Sequence, residues 1–302
     1  MREGILFISG FFVTVLIIPW MRRFSLKVGY LDRPGRDPLK VHSVPIPNSG
    51  GLAIFGVFAL LLIFASLRGL LGGHQVVGLV VGGGFALALG VWDDLKHAHP
   101  GIRFIGEVFA GLILIFFGTR IGAPLFLSIP LTLFYIVGAI NAVNLEDGLD
   151  GLAGGLTLLS FLGFALLSAK MGENAGIAIS ILLGGILLGF LIYNFNPASI
   201  FMGDGGSYFL GFVLGYLAVS FTHFHHWSSF LSPILIVGIP VLDTAFAILR
   251  RLRKGVSPFS GDRSHFYDLL VEKGFSVRRT VLICWLIQTF LVIIGLALYP
   301  VP

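Results

Sequence analysis

Apolar runs of membrane length alternate with short polar connectors along the 302-residue chain. Spans of roughly 17–25 mostly apolar residues mark membrane helices. Ten are predicted, at about 4–21, 48–67, 75–92, 103–118, 122–141, 152–170, 174–193, 207–222, 230–250 and 279–299. The fourth and eighth are the shortest. No stretch shows the period-2 alternation of a membrane barrel strand, so the spans read as helices. The expected fold class is all-α, a polytopic membrane protein in which residues 1–302 form one integral membrane domain. The first run, Gly4 to Trp20, has no small-residue cleavage site after it and its basic cluster follows rather than precedes it. It therefore reads as a retained helix and not as a signal peptide.

Composition agrees with the pattern. The chain is 56% hydrophobic and 12% charged, where a soluble domain carries roughly 25% charged residues. The net charge of +5 does not point to nucleic acid, because the basic residues flank apolar spans. Cys284, the one cysteine, lies in the last span and excludes an intramolecular disulfide or a cysteine metal site. It reads as a packing residue.

Charge also orients the spans. Of the twenty Lys and Arg residues, only Arg2, Arg68, Arg120 and Lys170 fall on one side, which leaves sixteen on the other. By the positive-inside rule the sixteen face the cytoplasm and both termini lie outside. Thirteen of the fifteen acids, all but Glu3 and Glu173, share that cytoplasmic side. The rule does not predict this, since acids contribute little to topology. Charge pairing in the loops can account for Asp32, Asp37, Asp262 and Glu272, but not for acids that abut helix ends without basic neighbours. Ionisable groups at the edge of a bilayer mark function by default. Five cytoplasmic segments thus converge on one face of the membrane.

The densest of these segments is Asn141-Ala-Val-Asn144-Leu-Glu146-Asp147-Gly-Leu-Asp150-Gly. Asn141 and Asn144 are three residues apart, as are Asp147 and Asp150, so each pair shares a face if helical. Capping needs one or two such groups, not five. Asp93-Asp94 closes the third span, where carboxylates oppose the helix dipole and want a cation. Adjacent acids there can hold Mg²⁺, or can split their pKa values and leave one as a base. Arg103 follows as a phosphate contact. Met202-Gly-Asp204-Gly-Gly-Ser207 sets one acid among glycines before a helix, a shape suited to a cation and a phosphate, or a simple N-cap. In the first connector Lys40 and His42 can contact phosphate or serve only as topogenic charge. In the last connector Arg263 and His265 are candidate phosphate or uracil contacts, and Tyr267 an interfacial anchor. Asp243, inside the ninth span, is expected to pair with Arg250 or Arg251. His97 and His99 read as ordinary loop residues.

Taken together, four motifs resemble the polyprenyl-phosphate N-acetylhexosamine-1-phosphate transferases. They are Lys40-x-His42-x-x-Pro45-x-Pro47-x-x-Gly50-Gly51, Asp93-Asp94, Asn141-x-x-Asn144-x-x-Asp147-Gly-Leu-Asp150-Gly, and Phe201-Met-Gly203-Asp204-x-Gly206-Ser207. The resemblance spans nearly the whole chain. It implies ten membrane helices in the cytoplasmic membrane and transfer of a sugar-1-phosphate from a UDP-N-acetyl sugar to polyprenyl phosphate, with release of UMP and a need for Mg²⁺ or Mn²⁺. It further implies that Asp204 and Asn144 hold the metal on the pyrophosphate. Asp93 and Asp94 would engage the lipid phosphate, one of them as a base, and Asp147 and Asp150 would lie on the nucleotide side. Lys40, His42, Arg103, Asn141, Arg263 and His265 would bind substrate, and a homodimer stays open.

The resemblance departs at Asn48 and Gly101, where relatives carry basic residues, and at His265-Phe-Tyr267-Asp268, where relatives carry further histidines. That last loop lies near the sugar in the family, so the motifs do not name the sugar. The rival reading is an ion-coupled transporter or flippase, which predicts acids near mid-membrane and internal repeats. The acids here gather at one face and no repeat is evident.

Overall fold

In lipid every backbone N–H and C=O must be satisfied within the chain, which drives apolar runs into helices. The computed structural model describes residues 2–34, 44–224, 226–257 and 265–300. The helices are α1 (Arg2–Val28), α2 (Gly50–Leu67), α3 (Gly73–Lys96), α4 (Pro100–Phe116), α5 (Leu125–Leu145), α6 (Leu152–Met171), α7 (Asn174–Asn194), α8 (Gly203–Ser220), α9 (Trp227–Val237), α10 (Ile239–Arg253), α11 (Phe266–Glu272) and α12 (Val277–Leu298). Two-residue strands β1 (Leu31–Asp32) and β2 (Ile46–Pro47) pair antiparallel at the ends of the first connector. Neither they nor α11 are legible in the periodicity. The protein is all-α in substance and multi-pass. Among the described residues, seven helices are long and apolar enough to cross a membrane, eight if α9 and α10 are one broken span.

At the centre runs α8, buried from Gly205 to Val219 and packed between α5, α3 and α2. Around it α6 and α7 are 72% buried over their apolar stretches, whereas α1 is 17% buried and peripheral. The outer face of α1, with Ile5, Ile8, Phe12, Leu16 and Trp20, is exposed. So contiguous an apolar surface suits contact with lipid tails. Gly90 lets α3 close on α8, since a Cβ there would run into the Asp204 carbonyl oxygen.

The expected straight ninth span is instead broken. Gly238 has φ 72° and ψ −123°, a conformation that essentially only glycine adopts. Pro240 follows in the first turn of α10, where no N–H is needed. The axis turns by 97°. Such a break orphans backbone groups, and Gln288 of α12, fully buried, takes them up. Its Nε2 lies 2.9 Å from the Ile236 carbonyl, 3.1 Å from that of Val237 and 3.0 Å from Ser160 Oγ, while its Oε1 accepts from Ile239 N–H at 2.9 Å.

Candidate active site

The end of the first connector is strapped to the segment before α8. Phe201 N–H donates to the Pro47 carbonyl at 2.8 Å, Gly50 N–H to that of Phe201 at 2.9 Å and Gly51 N–H to that of Met202 at 3.0 Å. Against this strap lies the end of α3. Asp94 accepts from Tyr30 Oη–H at 2.6 Å and from Asp204 N–H at 3.1 Å, and its side chain also bonds Asn48. A carboxylate from α3 therefore caps the N-terminus of α8, where the dipole favours negative charge. The dipole conflict expected at the end of α3 is relieved by the neighbouring helix.

Asp93 is 3% exposed and has both oxygens committed. Its Oδ1 accepts from Ala98 N–H at 2.8 Å, and its Oδ2 from Arg103 at 2.9 Å and from Tyr208 Oη–H at 2.8 Å. The paired acids thus divide. Asp93 holds Arg103, and Asp94 holds α8. His99, read as an ordinary loop residue, caps α4 by accepting from Gly101 N–H at 3.2 Å.

From the end of α5, Asn144 Nδ2 donates to Asp204 Oδ1 at 2.7 Å and to Ser207 Oγ at 3.1 Å. The two residues expected to hold a metal are in direct contact. Asp147, in the turn between α5 and α6, receives no hydrogen bond from the described residues. Burial pushes its carboxyl well above the ordinary carboxylate range, helped by the negative charges of Asp204, Asp94, Asp150 and Asp32. Asp150 points the other way, accepting from Asn196 Nδ2 and Ala198 N–H at 2.9 Å each. It shapes the turn that leads into the strap.

Asn141 donates to Glu107 Oε2 at 2.5 Å and to the Val137 carbonyl at 2.9 Å. Glu107 is 2% exposed and was missed as a functional candidate. Its signal was an acid inside the fourth span, four residues after Arg103 and so on the same helix face.

A second group lies on the other side of the same turn. Glu146, Asp243 and His265 are all buried, with one ligand atom from each within 4.8 Å of the others. His265 Nδ1 meets Asp243 Oδ2 at 2.5 Å, and Phe266 N–H donates to Asp243 Oδ1 at 3.0 Å. The expected pairing of Asp243 with Arg250 or Arg251 is therefore corrected, because both its oxygens serve the start of α11. Tyr267 is also not an interfacial anchor. It is 7% exposed, stacks on His265 with ring centroids 5.7 Å apart and donates to the Leu145 carbonyl at 3.3 Å. Lys40, His42 and Arg263 lie outside the described residues.

The model of glycosyl transferase family 4 matches residues 76–222. The chain is 34% identical to the probable undecaprenyl-phosphate N-acetylglucosaminyl 1-phosphate transferase of Bacillus subtilis strain 168, over 95% of this chain and 82% of that protein. It is likewise 34% identical to the decaprenyl-phosphate N-acetylglucosaminephosphotransferase of Mycolicibacterium smegmatis, over 91% and 76%. With the undecaprenyl-phosphate alpha-N-acetylglucosaminyl 1-phosphate transferase of Escherichia coli O157:H7 the identity is 30%, over 95% and 82%. At such identity across most of both chains, the chain is a member of glycosyl transferase family 4, among the polyprenyl-phosphate N-acetylhexosamine-1-phosphate transferases.

Proposed function

We propose that this enzyme moves an N-acetylhexosamine-1-phosphate from a UDP-sugar onto polyprenyl phosphate, undecaprenyl phosphate in a bacterial membrane, and releases UMP. An oxygen of the lipid phosphate attacks the phosphorus that bears the sugar. The phosphoanhydride bond breaks, UMP leaves with the electron pair, and a new pyrophosphate joins sugar and lipid. Such transfer rests on charge neutralisation and in-line positioning more than on covalent chemistry.

The observation that carries the reading is the Asn144–Asp204 contact at 2.7 Å, with the Asp94-capped start of α8 beneath it and the unbonded Asp147 beside it. Three carboxylates face one another there, and the charge of Arg103 is set against them. This oxygen-rich donor set suits a hard divalent cation. Asp204 and Asn144 would hold Mg²⁺, or Mn²⁺, through carboxylate and amide oxygens. The bound ion would neutralise the donor pyrophosphate.

In this proposal Asp94 fixes the first turn of α8, and Asp93 fixes Arg103 for a phosphate. Asp147 is the acid with capacity left for a ligand or a proton. Asp150 shapes the 196–198 turn on the nucleotide side, and Asn141 with Glu107 braces α5 against α4. Lys40, His42 and Arg263 would reach phosphates from the connectors, and His265 would set the loop near the sugar. Ten crossings in one domain follow if α4 and α8 are added to the eight, with both termini outside and the site at the cytoplasmic face of the inner membrane. The sixteen-to-four distribution of Lys and Arg supports that orientation.

The test is UMP release by the purified protein from a panel of UDP-N-acetyl sugars with undecaprenyl phosphate, with and without Mg²⁺. Asp204→Ala and Asp94→Asn are expected to abolish release. Turnover like that of the wild type in either variant refutes the role assigned to it.

A further inference from the structure

Glu146 and Asp243 have no part in the transfer proposed above, yet they form a buried group with His265, which sets the loop near the sugar; the three residues come from the turn after α5, from α10 and from the start of α11. Each is almost wholly inside the protein: 1%, 8% and 3% exposed. Isolated carboxylates are costly to bury unless paired or bound to metal. Asp243 has its partners in His265 and Phe266. Glu146 faces the Asp243 carboxyl closely enough to share a hydrogen bond with it, but its buried Oε1 makes none. An unpartnered carboxylate oxygen thus sits in a group whose other members are a second carboxylate and an imidazole nitrogen, with ligand atoms mutually within 4.8 Å.

We propose that Glu146, Asp243 and His265 form a binding site for a divalent transition metal of the Zn²⁺ class, distinct from the oxygen-lined site at Asp204. The nitrogen donor sets the class. Imidazole with carboxylates suits Zn²⁺, whereas Mg²⁺ prefers oxygen and water. The geometry needs only small adjustment. Bonds of about 2.0–2.2 Å to zinc place ligand atoms roughly 3.3 Å apart. The Asp243–His265 pair, at 2.5 Å, opens slightly and Glu146 draws in. The ion would join three segments distant in sequence. It would pin the loop that begins at His265 onto the turn carrying Asp147 and Asp150, and so tie the last cytoplasmic connector to the reaction centre.

The experiment uses the full-length protein purified in detergent, stripped with a chelator, dialysed and titrated with Zn²⁺, with bound metal measured by mass spectrometry. Titration with Co²⁺ reports coordination through its visible absorption bands. About one equivalent of Zn²⁺ per chain is expected, with Co²⁺ bands characteristic of nitrogen and oxygen ligands. His265→Ala and Glu146→Gln should each lower Zn²⁺ affinity at least tenfold and remove the Co²⁺ bands. Asp204→Asn should leave both unchanged, which separates this site from the one proposed for Mg²⁺. His97→Ala/His99→Ala should also leave them unchanged, excluding surface histidines as the source. No stoichiometric Zn²⁺ in the wild type, or unaltered binding in a His265→Ala protein with wild-type circular dichroism, overturns the proposal. If His265→Ala does not fold, the more conservative Glu146→Gln decides on the same readout.

Discussion

Side chains in this site divide into those that touch one another to build it and those left with capacity. Asp150, an acid singled out for the nucleotide side, spends Oδ2 on Asn196 and on the Ala198 N–H. Asp150→Ala should therefore cost stability as well as activity. Hydrogen bonds to a charged group contribute about 1.5–3 kcal/mol each, so a lowered melting temperature in detergent is expected along with reduced turnover. Asp147 accepts no such bond from the described residues, and Asp147→Asn should leave melting unchanged or raise it, because burial disfavours the charged form it replaces. Its turnover should fall by about 100-fold or more. A large drop in melting temperature for Asp147→Asn would refute that division. Sequence motifs located both acids but could not distinguish them, since Asn196 is 46 residues away along the chain. The same holds for Asp243: nearby arginines in the sequence suggested an ion pair, while the partner that bonds it, His265, is 22 residues on. Glu107 went unread because its partner, Asn141, lies 34 residues on in another helix.

Helices tell a different story, because hydrophobic length is written continuously along the chain. Nine of the ten expected spans coincide with a helix to within a few residues at most ends. The ninth does not, since its apolar content continues through Gly238 while its backbone does not. Only Gly-Ile-Pro marked the break, and the residue that makes it tolerable, Gln288, lies in another helix. Gln288→Leu keeps the volume roughly but leaves the Ile239 N–H and the Ile236 carbonyl unpaired. At about 1–3 kcal/mol for each buried unsatisfied group, most of the protein should be lost from the folded, monodisperse fraction in size-exclusion chromatography. Between α3 and α8, Gly90→Ala forces a Cβ into the backbone at Asp204. Overpacking costs about 1–3 kcal/mol, and here it also displaces the proposed metal-binding acid. Mg²⁺ dependence should consequently shift to higher concentration in this variant, whereas Ala at the exposed Gly56, with nothing within 4 Å of its Cβ position, should leave it unaltered.

At the scale of the molecule, charge asymmetry proposes an orientation on which the interior contacts are silent. The proposal can be made from sequence because insertion reads Lys and Arg in short loops directly. The convergence of segments on α8 was legible only in outline, because which helices touch is decided by close approaches such as Gly90 on Asp204, not by hydropathy. The burial of Cys284 now has a practical consequence. Its side chain is wholly enclosed, and it is the only thiol in the sequence. The natural chain is therefore close to a silent background for thiol labelling in intact cells. A cysteine placed at Lys96, beside the proposed reaction centre, should resist a membrane-impermeant maleimide until the membrane is opened. One placed at Arg120, in the connector after α4, should react from outside. Reversed accessibility at both positions would invert the topology, and no native residue would have to be removed to find out.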